Sequence, residues 1–287
     1  MALGAKLVFG AAVFAFTAFL SHSSSAFSPA PAGAGGLAAT PVVAFGTNAR
    51  RTSDDFAAVH KLDPNLVRRA HTASGLISCG DAHGAGQLTE ANNVLTTAAH
   101  VLFDEDGEPR APTCTFSLVN EGKVVRVPLD MKSIVAGHRK PYSVQAVHDW
   151  AVVKLERPVE GVAPYPLAES VGPDRDVVFA ARGHFDWGGG RAMSMQACKL
   201  YAQLNKGAEG TREFAFDCET GDGASGGAVL TGSDKRQLGA ILVGWRSNNP
   251  TKLTPFPPMH YNFVVSVEGA FKAAVLDAAR KVVSQNN

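Results

Sequence analysis

Short apolar runs separated by Gly, Asp, Asn and Pro fill most of the chain after about residue 70. This pattern is typical of consecutive β-strands joined by turns. In one run, Phe214 and Phe216 alternate with smaller or charged residues, which is the period of a half-buried strand. The predicted strands cover residues 76–79, 94–97, 113–118, 123–129, 150–155, 177–181, 196–201, 213–218, 238–245 and 261–267.

The pattern changes near the C terminus, where apolar residues over 268–284 recur at intervals of three and four. That spacing predicts one amphipathic helix, with Phe271, Val275, Leu276, Ala279 and Val282 on its apolar face. Many short strands in series favour a barrel or a pair of barrels, because an open sheet would leave exposed edges. The sequence therefore predicts an all-β architecture with a C-terminal α-helix.

The first 26 residues have the organisation of a secretory signal peptide. Lys6 precedes an apolar run over 7–20, and small residues at 24–26 provide a cleavage site for a signal peptidase. The alternative is a membrane-spanning helix, but that needs about 20 apolar residues. We therefore predict a signal peptide over 1–26 and an exported protein that has no membrane association once this peptide is removed.

Residues 27–69 are predicted to be a linker or pro-segment ahead of a folded domain over 70–284. To about residue 46 the stretch is rich in Ala, Pro and Gly and buries too little apolar area to order itself. Two dibasic pairs, Arg50-Arg51 and Arg68-Arg69, then bracket a short stretch with helical character. The pairs are either processing points or exposed residues of a surface helix.

Charge and cysteine content restrict the partners and cofactors. The 27 Lys and Arg against 26 Asp and Glu leave a formal charge of +1, so we expect no nucleic-acid partner. In an exported protein the four cysteines are candidates for two disulfides, with three possible pairings. They include no C-x-x-C pair, so we expect no structural zinc site. The cysteines are Cys79, Cys114, Cys198 and Cys218.

A run of small residues over 221–228 contains Ser225 directly before an apolar strand. Glycines let the backbone turn tightly and let a substrate carbonyl approach, while the Gly223 and Ser225 N–H groups can point together at a developing oxyanion. A glycine-rich loop without catalytic function is the alternative. The segment marks Ser225 as a candidate nucleophile.

Two further segments place a base and a carboxylate at strand ends. His100 ends the run 94–100, where a general base can project from a strand. Asp149 opens the run 149–155, and a carboxylate at the head of an apolar strand is costly to bury unless it is paired. Each alone also fits a structural His or a surface Asp. Together with Ser225, in the order His, Asp, Ser, they predict a catalytic triad.

The α/β-hydrolase fold is an alternative context for Ser225, because Gly223-Ala-Ser225-Gly-Gly227 also matches its nucleophile elbow. That fold requires Asp and then His after the nucleophile, with parallel strands that alternate with helices. After Ser225 the chain has Asp234 and His260 but no crossover helices. Order and context therefore disfavour this alternative.

At these positions the sequence resembles the trypsin-like serine peptidases, over about residues 74–284. Thr97-Ala-Ala-His100, Asp149-Trp-Ala-Val152 and Gly223-Ala-Ser225-Gly-Gly227 are similar to the three signature blocks of that family. The segment 218–225 is also similar to the bacterial glutamyl-endopeptidase-like branch. The resemblance implies two six-stranded antiparallel β-barrels of the chymotrypsin-like type, with the active site between them.

The resemblance also implies roles for the site residues. Ser225 attacks the scissile carbonyl, His100 transfers the proton, Asp149 holds the imidazole, and the Gly223 and Ser225 N–H groups bind the oxyanion. No metal and no organic cofactor are implied. The implied disulfides are Cys79–Cys114, which clamps the loop that carries His100, and Cys198–Cys218.

The resemblance determines substrate preference least well. Thr220 and the strand 239–245 are expected to line the pocket, with Gly244, Trp245 and Arg246 at its end. Glutamate-specific relatives use a Thr and a His there; Thr220 matches the Thr, but no His lies beside Trp245. Arg246 either pairs with an acidic substrate side chain or fills the pocket entrance.

From these features we expect a secreted or periplasmic serine endopeptidase that acts on polypeptides as a monomer. The alternative is a catalytically weak protease-fold binding protein or a locked zymogen. Arg246 motivates this alternative because it could block the cleft. Ala224 does so because animal digestive members have an Asp at this position, which captures the new N terminus during activation.

Overall fold

The computed structural model describes residues 42–43, 49–185, 187, 192–247 and 260–283. The predicted signal peptide and most of the Ala/Pro/Gly-rich stretch lie outside these residues. None of the described helices is long and apolar enough to span a membrane.

Two short helices, α1 (Ser53–Val59) and α2 (Pro64–Ala70), follow the two-residue strand β1 (Val42–Val43). Thr52 and Asp63 precede the helices and cap their N termini, because each side chain accepts a hydrogen bond from a first-turn N–H group. The stretch between the two dibasic pairs is thus helical, and α2 ends at the predicted domain boundary.

Six antiparallel strands form the first of two closed barrels. They are β2 (Ser74–Cys79), β3 (Ala82–Thr89), β4 (Ala91–Thr97), β5 (Cys114–Asn120), β6 (Lys123–Ala136) and β7 (Ala151–Leu155). Around the barrel the order is β2-β3-β4-β7-β6-β5, and the contacts of β4 with β7 and of β5 with β2 close the sheet. A short helix, α3 (Ala99–Leu102), follows β4.

The second barrel also has six antiparallel strands. They are β8 (Arg175–Ala181), β9 (Ser194–Lys206), β10 (Arg212–Phe216), β12 (Ala228–Thr231), β13 (Gln237–Ser247) and β14 (His260–Ser266), while β11 (Thr220–Gly221) lies outside the barrel. The order is β10-β14-β13-β12-β8-β9. Phenylalanines fill its core, and Phe179 meets Phe216 edge to face with 5.5 Å between ring centroids.

The last element, α4 (Gly269–Val283), follows the second barrel in sequence but packs on β4 and β7 of the first. Phe271 and Val275 are fully buried, and the Phe271 ring stacks on Trp150 with 4.8 Å between centroids. The predicted fold, two six-stranded antiparallel barrels with a C-terminal helix, is confirmed.

Strand β3 is missing from the sequence prediction because its two glycines weaken the strand pattern. Packing requires both of them. A Cβ on Gly84 would lie 2.5 Å from Val101, and one on Gly86 would lie 2.7 Å from Ile77. The close approach of neighbouring side chains therefore selects glycine here, against the propensity for a strand.

Strand β1 pairs antiparallel with β11. Arg51 forms a β-bridge with Met195 of β9, and the Ala49 N–H donates to the carboxylate of the buried Glu219. We call residues 42–43 and 49–51 the N-terminal arm. The arm lies against β9 and against the strand that precedes the candidate nucleophile.

Candidate active site

His100 and Asp149 meet where β4 and β7 lie side by side, with Thr97 opposite Ala151. Asp149 Oδ1 accepts a hydrogen bond from the His100 backbone N–H at 2.9 Å, and Oδ2 lies 2.7 Å from His100 Nδ1. Because a carboxylate accepts hydrogen bonds, this contact assigns the proton to Nδ1. Nε2 of a neutral imidazole then keeps the lone pair that a general base needs.

The loop that carries Ser225 connects β11 to β12 and is docked on the first barrel. The Ser225 carbonyl accepts a hydrogen bond from the Ala85 N–H at 2.7 Å, and the Ala85 carbonyl accepts one from the Thr97 hydroxyl at 2.7 Å. Gly226 has a φ of 85°, and a Cβ on it would lie 2.2 Å from the Ala85 carbonyl oxygen. The loop is therefore held beside the strand that leads to His100.

Two backbone N–H groups in the turn around Ser225 have no acceptor among the residues that the structure describes. The Ala224 N–H donates to the Gly221 carbonyl at 3.1 Å, and Gly223 has a φ of 86°, which together shape the turn. Within the described part of the chain, the N–H groups of Gly223 and Ser225 donate to no protein acceptor. Such a pair of donors has the chemistry of an oxyanion hole.

Arg110 and Tyr142, which no sequence motif singles out, contact His100. Arg110 Nε donates to the His100 carbonyl at 2.8 Å, and its Nη2 donates to the Tyr142 hydroxyl at 2.8 Å. The Tyr142 and His100 rings are 6.0 Å apart between centroids, and burial raises the pKa of Tyr142. Only the folded loop between α3 and β5 brings Arg110 to the histidine, so the sequence carries no signal for it.

Thr220, predicted to line the substrate pocket, is connected to Trp245 through Asn262. The Thr220 hydroxyl donates to Asn262 Oδ1 at 2.8 Å, and the Asn262 amide donates to the Cys218 carbonyl. Asn262 pairs with Trp245 across the β13–β14 ladder. The sequence analysis missed Asn262; its signal is a polar amide within an apolar run, which is costly to bury without partners.

Arg246 is already paired within the protein. Its guanidinium forms an ion pair with the buried Glu213 carboxylate and lies 4.1 Å from the centroid of the Phe263 ring. Burial lowers the pKa of Arg246, but the hydrogen bond and the charge of Glu213 raise it above its ordinary value. Gly244 makes room for the same ring, since a Cβ there would lie 2.9 Å from Phe263.

Both disulfides lie close to these groups. Cys79–Cys114 joins directly opposite residues of β2 and β5, with Cα atoms 4.4 Å apart, and Cys198–Cys218 joins β9 to the segment before β11, with Cα atoms 5.3 Å apart. These are the two pairs that the family resemblance implies. The first closes the loop that carries Arg110, and the second holds the chain two residues before Thr220.

Among the described residues, no group of three or more His, Cys, Asp or Glu side chains is placed to hold a metal ion. Beside the site, His148 Nδ1 and Glu209 Oε1 lie 2.7 Å apart.

Known proteins share this architecture. A family model for the trypsin-like peptidase domain matches residues 84–239. Among solved structures, a Glu endopeptidase is similar with a TM-score of 0.61 and 15% identity, over 83% of this chain and 100% of that one. The MamO protease domain from Magnetospirillum magneticum matches with a TM-score of 0.48 and 16% identity, over 77% of this chain and 98% of that one. No curated protein sequence matches.

The family match includes His100, Asp149 and Ser225 and extends over more than half of the chain. The structural similarity to the Glu endopeptidase shows the same fold. With its two closed antiparallel barrels, the chain belongs to the trypsin-like peptidase family, whose fold is that of proteases.

Proposed function

We propose that this protein is an exported serine endopeptidase that hydrolyses peptide bonds through an acyl-enzyme, with His100, Asp149 and Ser225 as its triad. The observation that carries the proposal is the 2.7 Å contact between His100 Nδ1 and Asp149 Oδ2, beside a nucleophile loop that is docked on the same barrel. Membership of a peptidase family supports it independently.

In this mechanism Ser225 Oγ attacks the scissile carbonyl carbon while His100 Nε2 takes the hydroxyl proton. Asp149 keeps the proton of the imidazole on Nδ1 and stabilises the imidazolium that forms. The Gly223 and Ser225 N–H groups donate to the oxyanion. The tetrahedral intermediate then breaks the C–N bond, and His100 returns the proton to the leaving amine. Water then attacks the acyl-enzyme carbonyl while His100 takes its proton, the bond to Ser225 Oγ breaks, and His100 returns the proton to Oγ as the acid product leaves.

The proposed substrate is a polypeptide whose side chain enters a pocket lined by Thr220, Gly244 and Trp245. Arg246 stands at the end of the same strand, but Glu213 already neutralises its guanidinium. The pairing therefore favours Arg246 as a structural residue of the pocket entrance over a partner for an acidic substrate side chain.

Export to a secreted or periplasmic location is part of the proposal. Its support is the organisation of residues 1–26 and the presence of two disulfides, which persist in oxidising compartments. We propose that the mature protein acts as a monomer.

The test is labelling of the purified protein with a fluorophosphonate probe, followed by mass spectrometry of the adduct. We expect a single adduct on Ser225 that is lost in both Ser225→Ala and His100→Ala. Ser233→Ala is the matched control, because Ser233 is an exposed serine in the β12–β13 turn and its removal should leave labelling unchanged. A well-folded protein without any adduct would instead support the protease-fold binding protein or the locked zymogen.

A further inference from the structure

The residues around Asp149 are held by parts of the chain outside the first barrel. On one side, His148 Nδ1 lies 2.7 Å from Glu209 Oε1, and the Val147 carbonyl accepts a hydrogen bond from the Thr211 hydroxyl at 2.9 Å. On the other side, Trp150 stacks on Phe271 of α4. The short segment that carries Asp149 is therefore held by contacts on both sides of this residue.

Glu209 and Thr211 belong to the turn between β9 and β10 in the second barrel. The Gly207 N–H donates to the Thr211 carbonyl at 2.8 Å, and the Ala270 N–H at the start of α4 donates to the Glu209 carbonyl at 3.0 Å. Gly269 leaves no space between the turn and α4, because a Cβ on it would lie 2.0 Å from the Glu209 carbonyl oxygen. These contacts fix the backbone of Glu209, and the Glu209 side chain contacts His148 from this fixed position.

This arrangement connects the two barrels at the carboxylate of the proposed triad. Asp149 and His100 come from the first barrel, whereas Ser225 comes from the second. A displacement of about 1 Å at a catalytic group can lower a rate on the order of a hundredfold. By contrast, the His148 and Glu209 side chains are 30% and 26% exposed, and such pairs near the surface contribute little to stability.

We propose that Glu209 is a positioning residue for catalysis: together with Thr211 it holds the segment 147–148 and thereby sets the orientation of the Asp149 carboxylate towards His100. The inference rests on the proposed function, because it requires that Asp149 orients His100 during the reaction. Glu209 itself touches neither the substrate nor the reacting atoms.

The test compares kcat and KM of Glu209→Ala and Glu209→Gln with wild type on a peptide substrate, with active enzyme counted by fluorophosphonate titration. We expect Glu209→Ala to lower kcat about tenfold with KM nearly unchanged. Glu209→Gln should restore most of kcat, since its amide oxygen can accept the same hydrogen bond from His148. Asp54→Ala is the control, because it removes a surface ion pair with Arg68 that is far along the chain from the triad.

A second pair of variants keeps the inference testable if Glu209→Ala folds poorly. Thr211→Val removes the hydroxyl that bonds to the Val147 carbonyl and should lower kcat, whereas Thr211→Ser keeps it and should not. An unchanged kcat in folded Glu209→Ala and Thr211→Val, or equal losses in Glu209→Ala and Glu209→Gln, would overturn the inference while wild-type activity remains. Wild type without Ser225-dependent activity would overturn the proposed function first, and this inference with it.

Discussion

Gly226 lies where the nucleophile loop touches the first barrel. Its φ of 85° is a conformation that a side chain disfavours, and its Cα faces the Ala85 carbonyl and the Thr97 hydroxyl at a distance that excludes a Cβ. The glycine after Ser225 therefore serves the contact between the two barrels as well as the turn.

A comparison of Gly226→Ala with Gly232→Ala should separate the effect of the contact between the barrels from the effect of the positive φ in the turn. Both glycines have a positive φ, 85° and 88°, so both substitutions cost about 1 to 2 kcal/mol of backbone strain. A Cβ on Gly232 meets only the flexible Gln237 side chain, at 3.1 Å. We expect Gly226→Ala to lower kcat/KM at least about tenfold and Gly232→Ala to leave it unchanged. Peptide hydrolysis measures kcat/KM, and chemical denaturation measures the cost of the backbone strain. Equal activities of the two variants would contradict the docking role of Gly226.

The signals for the candidate triad were visible in the sequence because His100, Asp149 and Ser225 each lie in a local context that constrains them. The contacts of Arg110 and Glu209 had no such signal, and the polar amide of Asn262 within an apolar run did not indicate which residues it contacts. Their partners are distant in sequence, and only the closure of the barrels brings them together. The orientation of Arg246 was open for the same reason, since its partner Glu213 lies on another strand.

At the scale of elements, the N-terminal arm bears on what cleavage at the dibasic pairs would do to the protein. β1 pairs with β11, Arg51 exchanges hydrogen bonds with Met195 at 3.0 and 2.9 Å, and the Ala49 N–H bonds to Glu219. Cleavage after Arg51 would release these contacts, and Arg69 lies within α2. In this structure the arm supports the segment that leads to Ser225.

A chain that begins at Thr52 should therefore react more slowly with a fluorophosphonate than one that begins at Ala39, which keeps the arm. Without the arm, β11 loses its only described strand partner and the Glu219 carboxylate, 2% exposed, loses a donor. We expect the labelling rate to fall about tenfold. A faster reaction of the shorter chain would show that the arm is inhibitory and would favour the zymogen interpretation.

The elements themselves were largely predictable, because alternation and turn residues mark half-buried strands. β6 runs to Ala136, past the predicted end at residue 129, since an irregularity between Asp130 and Val135 interrupts the alternation while pairing with β7 continues. β9 is longer than predicted for a similar reason, with register shifts opposite β10. Pairing partners, which decide these ends, are not local properties of a sequence.

At the scale of the whole molecule, His71 lies where α2, the first barrel and the β12–β13 turn meet. Its Nδ1 is 3.4 Å from the Tyr165 hydroxyl, which contacts the Ser74 hydroxyl at 2.9 Å. Burial and, second to it, the charge of Arg236 lower the pKa of His71 to about 4, although the charge of Asp234 opposes the shift. The folded protein therefore holds this imidazole neutral.

The free energy of unfolding should fall as the pH is lowered from about 6.5 to about 4, because the unfolded state then binds a proton that the folded state does not. Above pH 6.5 the free energy of unfolding is not reduced by the titration of His71, and the total fall down to pH 4 amounts to about 3 kcal/mol. Between pH 7 and pH 4, the free energy of unfolding of His71→Gln should fall by about 3 kcal/mol less than that of wild type. Urea denaturation at the two pH values measures both losses, and parallel losses would exclude His71 as the titrating group.

The packing of α4 on the first barrel also orders events in time. A chain is made from its N terminus at roughly 5 to 20 residues per second, so all strands of the first barrel exist before Phe271 is available to cover Trp150. The supports on both sides of Asp149 come from later parts of the chain. Under the proposed function, both supports of Asp149 are in place only after the β9–β10 turn and α4 have been made, so a shorter nascent chain lacks the full geometry for peptide cleavage.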